Sequence, residues 1–217
     1  MTKLPLFPLN TILFPGMPLS LHIFEERYKK MMNLCIEQEK PFGVVLIKKG
    51  REAGGAAVPY SIGCTANIKT VEPLRDGRLN LVATGESRFE IKDLHHDQPY
   101  LVGEVKELEF DTTLSKEDKI NAWYLRKIIK NYVDVLSNIG KIEVDLKKFP
   151  RDPIELAYMG ATILQAPNEQ KQALLEIESA GELIKTLYDA CRKEINILRR
   201  MLEPVVPPHT DGPFSLN

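Results

Sequence analysis

The 217-residue sequence contains few cysteines and no excess of charge. Its three cysteines, Cys35, Cys64 and Cys191, are far apart and form no Cys-x-x-Cys pair. This usage argues against a disulfide framework and a thiolate zinc site, and it favours a reducing compartment with small buried thiols. Lys and Arg number 29 against 30 Asp and Glu, which gives a net charge of -1. No global field therefore draws the chain to DNA, RNA or anionic lipid.

A long uninterrupted hydrophobic run is also absent. Residues 4–24 contain no Asp, Glu, Lys or Arg and would be long enough to cross a bilayer. However, Pro5, Pro8, Pro15 and Pro18 interrupt this segment, and broken backbone hydrogen bonds are costly in lipid. The same prolines interrupt the apolar region that a signal peptide needs. We therefore expect a cytoplasmic protein with no membrane segment and no export signal.

Motifs for catalysis and for nucleotide binding are missing as well. The glycine-rich residues 50–55 are not followed by Lys-Ser or Lys-Thr, which excludes a P-loop. No Gly-x-Ser-x-Gly elbow is present. His95, His96 and Asp97 are adjacent, and adjacent side chains of an extended segment point in opposite directions, so we interpret them as a solvated turn rather than a metal site. We expect no cofactor, no metal and no enzymatic activity, with a small hydrolase as an open alternative.

The hydrophobic pattern changes near residue 111 and predicts two subdomains. Apolar residues mostly alternate before this point and recur every three or four positions after it. Residues 1–111 are therefore predicted to be rich in strands, and residues 112–203 to be helical. Residues 141–151 are predicted to form a polar connection. The proline-rich residues 204–217 are predicted to be a disordered tail.

The first subdomain is predicted to contain several short strands and one inserted helix, at residues 25–38. Alternating apolar residues predict a strand at residues 19–23, with His22 pointing outward. Asp76-Gly77 supplies the turn of a hairpin between residues 64–68 and 79–83. Further strands are predicted at residues 42–47, 89–91 and 100–108, and a flexible loop at Gly54 and Gly55. Many short strands favour a closed or nearly closed barrel, because closure removes exposed strand edges.

The second subdomain has the caps and periodicity of a helical bundle. Ser115 is predicted to cap a first helix whose buried stripe is Ile120, Tyr124, Ile128, Tyr132 and Val135. Asp152 and Pro153 form a strong start for a helix that runs to about residue 165. A short helix from Asn168 and a long one capped by Ser179 are predicted to complete the bundle.

Four segments carry recognisable signatures. Residues 4–19, LPLFPLNTILFPGMPL, contain Leu-Pro-Leu, then Phe-Pro-Gly, then Pro-Leu. Residues 62–68, IGCTANI, are similar to a Gly-Thr-x-Ala-x-Ile strand, and residues 76–89 contain a hairpin followed by a Gly-x-x-Arg-Phe turn. Residues 169–176, EQKQALLE, look like a Glu-Lys-Gln-x-Leu-Leu-Glu helix start. In combination these segments resemble the N-terminal substrate-binding domain of Lon ATP-dependent proteases, over roughly residues 3–202.

The resemblance implies an α+β fold, with a PUA-like β pseudo-barrel and one inserted helix followed by a C-terminal α-helical bundle. It also implies capture of unfolded or specific client protein segments. Lon proteases continue into an ATPase module and a Ser-Lys protease domain, and neither is found before Asn217. The resemblance therefore implies a stand-alone, non-catalytic module, such as a quality-control adaptor that works with a separate protease or chaperone. In cereblon the same domain type is an interaction scaffold.

A binding site for protein segments is predicted at the proline-rich N-terminal stretch. Such capture requires exposed apolar surface and backbone hydrogen-bonding groups, which grooves between subdomains or strand edges supply. Residues 7–18 cannot pair regularly along their length, so we expect an irregular path around the barrel. This path would leave Phe14, Met17 or Phe24 partly uncovered beside the turn at Pro15. The predicted site is therefore Phe14, Pro15, Met17 and Phe24, and the alternative is that the three large side chains fill the ends of the barrel.

RNA binding is the alternative function, because PUA-like barrels can bind RNA through a basic face. Two basic groups are close in sequence, Lys48 with Lys49 and Arg51, and Arg75 with Arg78 and Arg88. Aromatic residues near them are too sparse to indicate base stacking. Charged loops around a barrel are therefore the favoured interpretation. A contiguous basic face would favour RNA, whereas a mixed-charge rim around an apolar groove would favour protein.

Overall fold

The computed structural model describes residues 1–51, 57–140 and 149–202. Seven strands and one helix come first: β1 Thr2–Leu9, β2 Pro18–Ile23, α1 Glu26–Glu37, β3 Phe42–Lys49, β4 Val58–Pro59, β5 Ile62–Pro73, β6 Leu79–His95 and β7 Leu101–Glu107. Four helices follow: α2 Lys116–Asn138, α3 Pro153–Ile163, α4 Asn168–Glu176 and α5 Ala180–Leu202. The predicted α+β order is confirmed. The predicted loop at Gly54 and Gly55, most of the connection at 141–151 and the tail at 204–217 lie outside the described residues.

Five of the strands pair in a ring. Hydrogen-bonded neighbours follow the order β1, β7, β6, β5, β3, and β1 also pairs with β3. β1 is antiparallel to β7, with Leu6 opposite Leu101, and it is parallel to β3, with Leu6 opposite Gly43. The β1–β3 pair joins the two ends of the path. The similarity of this ring to the PUA fold in particular stays a prediction.

The prolines of β1 are accommodated inside a regular strand, so the irregular path expected from Phe7 onward is wrong for its first residues. Residues 2–6 of β1 pair with β7, and residues 6–9 pair with β3, so most positions have a strand neighbour on one side. Pro5 lies in the first part and Pro8 in the second. A proline is tolerated in such an edge-like position, because its missing N–H can face the open side.

The interior of the ring is filled by large side chains that pack against glycines. The buried cluster contains Leu4, Leu6, Val45, Phe89 and Val105. Gly63 of β5 faces this cluster, and a Cβ there would lie 2.5 Å from the Val44 carbonyl oxygen and 2.7 Å from Phe89 Cζ. Close packing therefore leaves no room for even a methyl group at this position.

β6 is a single strand of 17 residues, where the sequence predicts two shorter strands separated by a turn. The register of its pairing with β7 shifts between Ile91 and Asp93, and β5 shifts twice opposite it. Such bulges bend a strand without ending it. β6 can therefore belong to the ring and also form, with β5, the predicted hairpin, whose turn contains Gly77 at φ +79°. β2 pairs with the outer part of β6, with Leu21 opposite Leu81.

The helices begin where the sequence predicts. The Ser115 Oγ accepts a hydrogen bond from the Asp118 amide at 3.1 Å, and the Asp118 carboxylate accepts one from the Ser115 amide at 2.9 Å. The Asp152 carboxylate accepts hydrogen bonds from two amides in the first turn of α3, both at 2.9 Å. These caps satisfy amides that have no partner within the helix.

The buried stripe predicted for α2 is wrong at its first two positions. Ile120 is 57% exposed and Tyr124 is 49% exposed. Apolar residues occur on two faces of this helix, and the face that packs against α3 and α5 carries Ala122, Leu125, Ile129, Tyr132, Val133 and Leu136. Tyr132 and Val135 belong to both stripes and are buried as predicted, and the Tyr132 hydroxyl accepts a hydrogen bond from the Gln165 amide at 2.8 Å.

The strands and the helices share one hydrophobic core. Cys64, Ala66 and Leu81 of the strands belong to the same buried cluster as Leu125 of α2 and Leu187 of α5. α1 packs on the same cluster through Tyr28, whose ring centroid lies 4.2 Å from that of Phe7. Tyr28 and Met32 are buried, as predicted. The boundary at residue 111 as a division between separate units stays a prediction.

We predict that Gly63→Ala lowers the free energy of unfolding by about 1–3 kcal/mol, because the new methyl group overpacks the ring interior. Urea denaturation measures this difference. Ser61→Ala, at an exposed residue two positions away, is the control and should change stability by less than about 0.5 kcal/mol. Equal stability of the two variants would contradict the close packing described for the ring.

Candidate functional site: a cleft between the strands and the helices

A cleft of about 460 Å³ lies where the strands meet the helices. Pro15 lines it from the loop between β1 and β2, and Tyr158 lines it from α3. The other lining residues are Glu86, Ser87 and Arg88 of β6, and Glu107, Leu108, Glu109 and Phe110 at and after the end of β7. We call this site the interface cleft. It contains one of the four residues predicted to bind protein segments.

A tight turn positions Pro15. The Met17 amide donates to the Phe14 carbonyl oxygen at 3.1 Å, and Gly16 has φ +76°, the pattern of a type II turn with proline at its second position. The Gly85 amide donates to Met17 O and its carbonyl accepts from the Gly16 amide, both at 2.9 Å. A Cβ at Gly85 would lie 2.3 Å from Phe14 O. Only glycine therefore lets β6 approach the turn this closely.

Arg88 joins the strands to the helices at the floor of the cleft. It is 3% exposed, and its guanidinium donates to the carbonyl oxygens of Leu175, at 2.8 Å, and of Ile177. The guanidinium also donates a hydrogen bond to the Glu109 carbonyl oxygen at 2.9 Å. The first two carbonyls lie at the C-terminal end of α4, where helix carbonyls have no partner within the helix and the helix dipole favours a positive charge. Burial lowers the pKa of the guanidinium from its usual value.

Aromatic rings surround this arginine. The Arg88 guanidinium carbon lies 4.8 Å from the ring centroid of Phe110, and the centroid of Phe110 lies 5.8 Å from that of Tyr158. Tyr158 also stacks on Phe14, with centroids 6.0 Å apart. Burial raises the pKa of Tyr158 to about 12, so its phenol keeps its proton at neutral pH. The rings therefore form an apolar wall that carries no charge of its own.

Carboxylates form the rim. Glu86, Glu107 and Glu109 are exposed, while Arg88 is buried beneath them. The Glu86 carboxylate accepts a hydrogen bond from the Asn67 side-chain amide at 2.6 Å. Three negative side chains and one positive side chain therefore line the cleft, and the positive charge is already directed at backbone carbonyls.

The structure separates the predicted site residues. Phe14 is 1% exposed and Met17 is 9% exposed, so the expectation that they are uncovered is wrong. The turn at Pro15 directs both side chains into the core. Phe24 is 55% exposed, as the prediction allows, but it lies at the far end of β2 and does not line the cleft. Its role in binding stays a prediction.

The arginines do not form the single basic face of the alternative function, and His96 and Asp97 are exposed after the end of β6, as the interpretation of a solvated turn predicts. Arg88 is buried, and Arg78 pairs with Asp76 at 2.6 Å on the exposed hairpin, so the three arginines do not form one basic face. His95 Nε2 lies 3.2 Å from the Glu104 carboxylate. The part of the chain that the structure describes contains no group of three or more His, Cys, Asp or Glu residues arranged to hold a metal ion.

Sequence reasoning missed most of the cleft. Phe110, Tyr158, Glu107 and Glu109 belong to no motif and are distant from Pro15 in sequence. Arg88 was singled out only as part of the Gly-x-x-Arg-Phe segment. An arginine in a strand is ordinarily exposed, so the sequence gave no indication that this side chain is buried and contacts the helices.

A family model of the ATP-dependent protease La (LON) substrate-binding domain matches residues 3–193. The chain belongs to this family. Among curated proteins, this Lon-type domain is 26% identical over 200 residues to Lon protease 2 of Myxococcus xanthus, covering 90% of the chain and 24% of the relative. It is 28% identical over 209 residues to Lon protease of Aquifex aeolicus, covering 89% and 25%. The chain thus spans about a quarter of the length of these relatives.

Solved structures of Lon N-terminal domains have the same fold. The crystal structure of a Lon N-terminal domain protein from Xanthomonas campestris superposes with a TM-score of 0.65 at 26% identity, covering 87% of this chain and 98% of that one. The N-terminal domain of Mycobacterium avium complex Lon protease gives a TM-score of 0.64 at 19% identity, covering 88% and 98%. The α+β architecture is therefore that of a Lon substrate-binding domain.

Segments that carry the Lon resemblance meet where the strands contact the helices, beside the interface cleft. The Phe-Pro-Gly turn supplies Pro15, and the Gly-x-x-Arg-Phe segment supplies Gly85 and Arg88. The helix start at 169–176 supplies Gln172, which is 2% exposed and donates to Ile62 O of β5 at 3.0 Å. Arg88 and Gln172 are the buried polar side chains in the described ranges, and both link a strand to α4. These signature residues therefore hold the two halves of the domain together.

We predict that Arg88→Met lowers the free energy of unfolding by about 2–4 kcal/mol, because the substitution removes charged hydrogen bonds to three carbonyls. Arg88→Lys should give an intermediate loss, since an ammonium lacks the planar fork of donors. Urea denaturation monitored by circular dichroism measures both. Arg78→Met is the exposed control, and a loss no greater than in this control would show that Arg88 does not link the strands to the helices.

Proposed function

We propose that this protein is a non-catalytic recognition module that binds segments of other proteins in the interface cleft. In this role it would act as a quality-control adaptor and present bound segments to a separate protease or chaperone. The observation that carries the proposal is the cleft itself, an apolar aromatic wall beside an open charged rim in a domain of the Lon substrate-binding family. A mixed-charge rim around an apolar surface is typical of protein interfaces.

The size of the cleft fits part of an extended chain. A volume of about 460 Å³ lies within the range of pockets that bind ligands of a few hundred daltons, which corresponds to a few side chains of a peptide. Phe110 is half-buried, lines the cleft and contacts the Arg88 guanidinium, so its ring is held in place where a segment would bind. Arg88 holds the backbone beside Phe110 through its hydrogen bond to Glu109 O. Binding of a segment would therefore cost little conformational entropy of the protein.

The three thiols and the tyrosine that lines the cleft are poorly suited to catalysis. Cys64 is the nearest of the three thiols to Arg88 in the chain, and burial raises its pKa to about 12. The pKa of Cys35 is raised to about 11 and that of Cys191 to about 12 for the same reason. A buried thiol that keeps its proton is unreactive. Tyr158 also stays protonated near neutral pH, so neither type of group supports a hydrolase.

A cytoplasmic location fits the same thiols. All three cysteines are free and buried, as the sequence predicts. Free thiols are ordinary in a reducing compartment. No helix within the described ranges is long and apolar enough to span a membrane.

We predict that Phe110→Ala weakens peptide binding by about tenfold, because loss of a central aromatic contact removes more than about 1 kcal/mol of binding free energy. The probe is a short fluorescein-labelled peptide of phenylalanine, leucine, serine and glycine, and fluorescence anisotropy gives the Kd. Trp123→Ala is the matched control, because this ring is exposed on α2 and does not line the cleft.

Both variants are compared with the wild-type protein in urea denaturation, so that a loss of folding is separated from a loss of binding. Ser87→Tyr, which narrows the cleft without removing a core residue, is a second test and should also weaken binding. Unchanged affinity in Phe110→Ala and Ser87→Tyr, or no binding of the peptide to the wild-type protein, would contradict the proposed function.

A further inference from the structure

We infer that the interface cleft selects segments in which a lysine or arginine lies next to an apolar side chain. This inference rests on the proposed function and adds the chemical class of the segment. The occupant is an extended stretch of another protein that carries positive charge. The charge distribution of the cleft leads to this choice over an acidic segment or an RNA.

The negative rim is available to a ligand. Glu107 and Glu109 are exposed at the mouth of the cleft, one on each side of Leu108. Within the ranges that the structure describes, neither carboxylate forms an ion pair or a side-chain hydrogen bond. A cation on the bound segment would meet these groups without displacing an existing partner.

The positive charge at the floor does not offset this rim. Arg88 directs three of its five N–H groups at the carbonyl oxygens of Leu175, Ile177 and Glu109, and the residue is only 3% exposed, so little of its charge is accessible to a ligand. Its guanidinium is also stacked on Phe110. A carboxylate or phosphate entering the cleft would therefore meet three glutamates at the rim before reaching a buried arginine that is already paired.

The aromatic wall places an apolar contact beside the carboxylates. Phe110 lines the same cleft as Glu107 and Glu109, so one bound segment can contact the ring and the rim together. Lysine and arginine stems pack along apolar surface while their charged ends remain in polar surroundings. A segment with an apolar residue on the wall and a neighbouring cation at the rim satisfies both surfaces together.

The experiment uses three labelled peptides with the same phenylalanine and leucine centre and with lysine, serine or glutamate flanks. Fluorescence anisotropy measures the Kd of each for the wild-type protein and for the double variant Glu107→Gln with Glu109→Gln. The control is the charge-matched double variant Glu37→Gln with Glu117→Gln, at exposed residues that do not line the cleft. A labelled oligouridine RNA is titrated in parallel.

We expect the wild-type protein to bind the lysine peptide most tightly and the glutamate peptide most weakly. The double variant in the cleft should lose about three- to tenfold in affinity for the lysine peptide and little for the serine peptide, because exposed charge pairs contribute modestly. Added salt should reduce the preference for lysine. The control variant should keep the wild-type order.

The outcomes of this experiment separate the inference from the proposed function. Equal binding of all three peptides would overturn the charge preference while leaving segment binding in place. Tighter binding of the glutamate peptide or of the RNA than of the lysine peptide would overturn it as well, and failure of every peptide to bind would overturn both. A preference for lysine that persists in the cleft double variant would show that the rim is not its source.

Discussion

The buried guanidinium of Arg88 is the interaction on which the rest of the molecule depends. Hydrophobic packing pulls the strands and the helices together, but it does not specify one orientation between them. Directed hydrogen bonds from β6 to the end of α4 and to the segment after β7 do specify one. Because a charge is costly to bury without partners, any arrangement that pulls these carbonyls away is strongly disfavoured. The neutral side chain of Gln172, about one turn earlier on α4, adds a directed hydrogen bond to Ile62 O of β5.

This constraint also explains why a cleft exists at the interface. The turn at Pro15 is fixed to β6 by Gly85, and Phe110 is fixed by its contact with Arg88. Tyr158 of α3 contacts both Phe110 and Phe14, the residue before Pro15. The cleft is therefore bordered by groups that the fold itself holds in place. A preformed surface of this kind lowers the entropy that binding must overcome, which suits a module that holds segments of other chains.

The positions of the helices and strands were predicted better than the face that each one buries and the elements that it contacts. Capping residues such as Ser115 and Asp152 act on the first turn of their own helix, so a few neighbouring residues were enough to predict where the helices begin. The face of α2 depends on which apolar stripe meets α3 and α5, and local periodicity cannot distinguish two stripes on one helix. β1 was not predicted because proline usually disrupts a strand that is paired on both sides. Here most positions of the strand pair on one side only, so the prolines are tolerated.

The candidate site was the least predictable part. Pro15 was found because its turn has a local signature, but the burial of Phe14 and Met17 depends on helices that are far away in sequence. Arg88 was interpreted as a surface charge, since arginine is seldom buried. Its partners are backbone carbonyls, which every residue has, so no residue type in the sequence indicates them. A cleft assembled from four separate segments is therefore visible only once the fold is known.

The most direct test of this account is the location of a bound segment. A lysine-flanked peptide with a photoreactive benzoylphenylalanine at its centre would be cross-linked to the protein and the attachment sites identified by mass spectrometry. The account predicts attachment at the cleft, on the peptides containing Pro15, residues 86–88 or residues 107–110. Attachment confined to other surfaces, such as the exposed face of α2 at Trp123 or the end of β2 at Phe24, would contradict it.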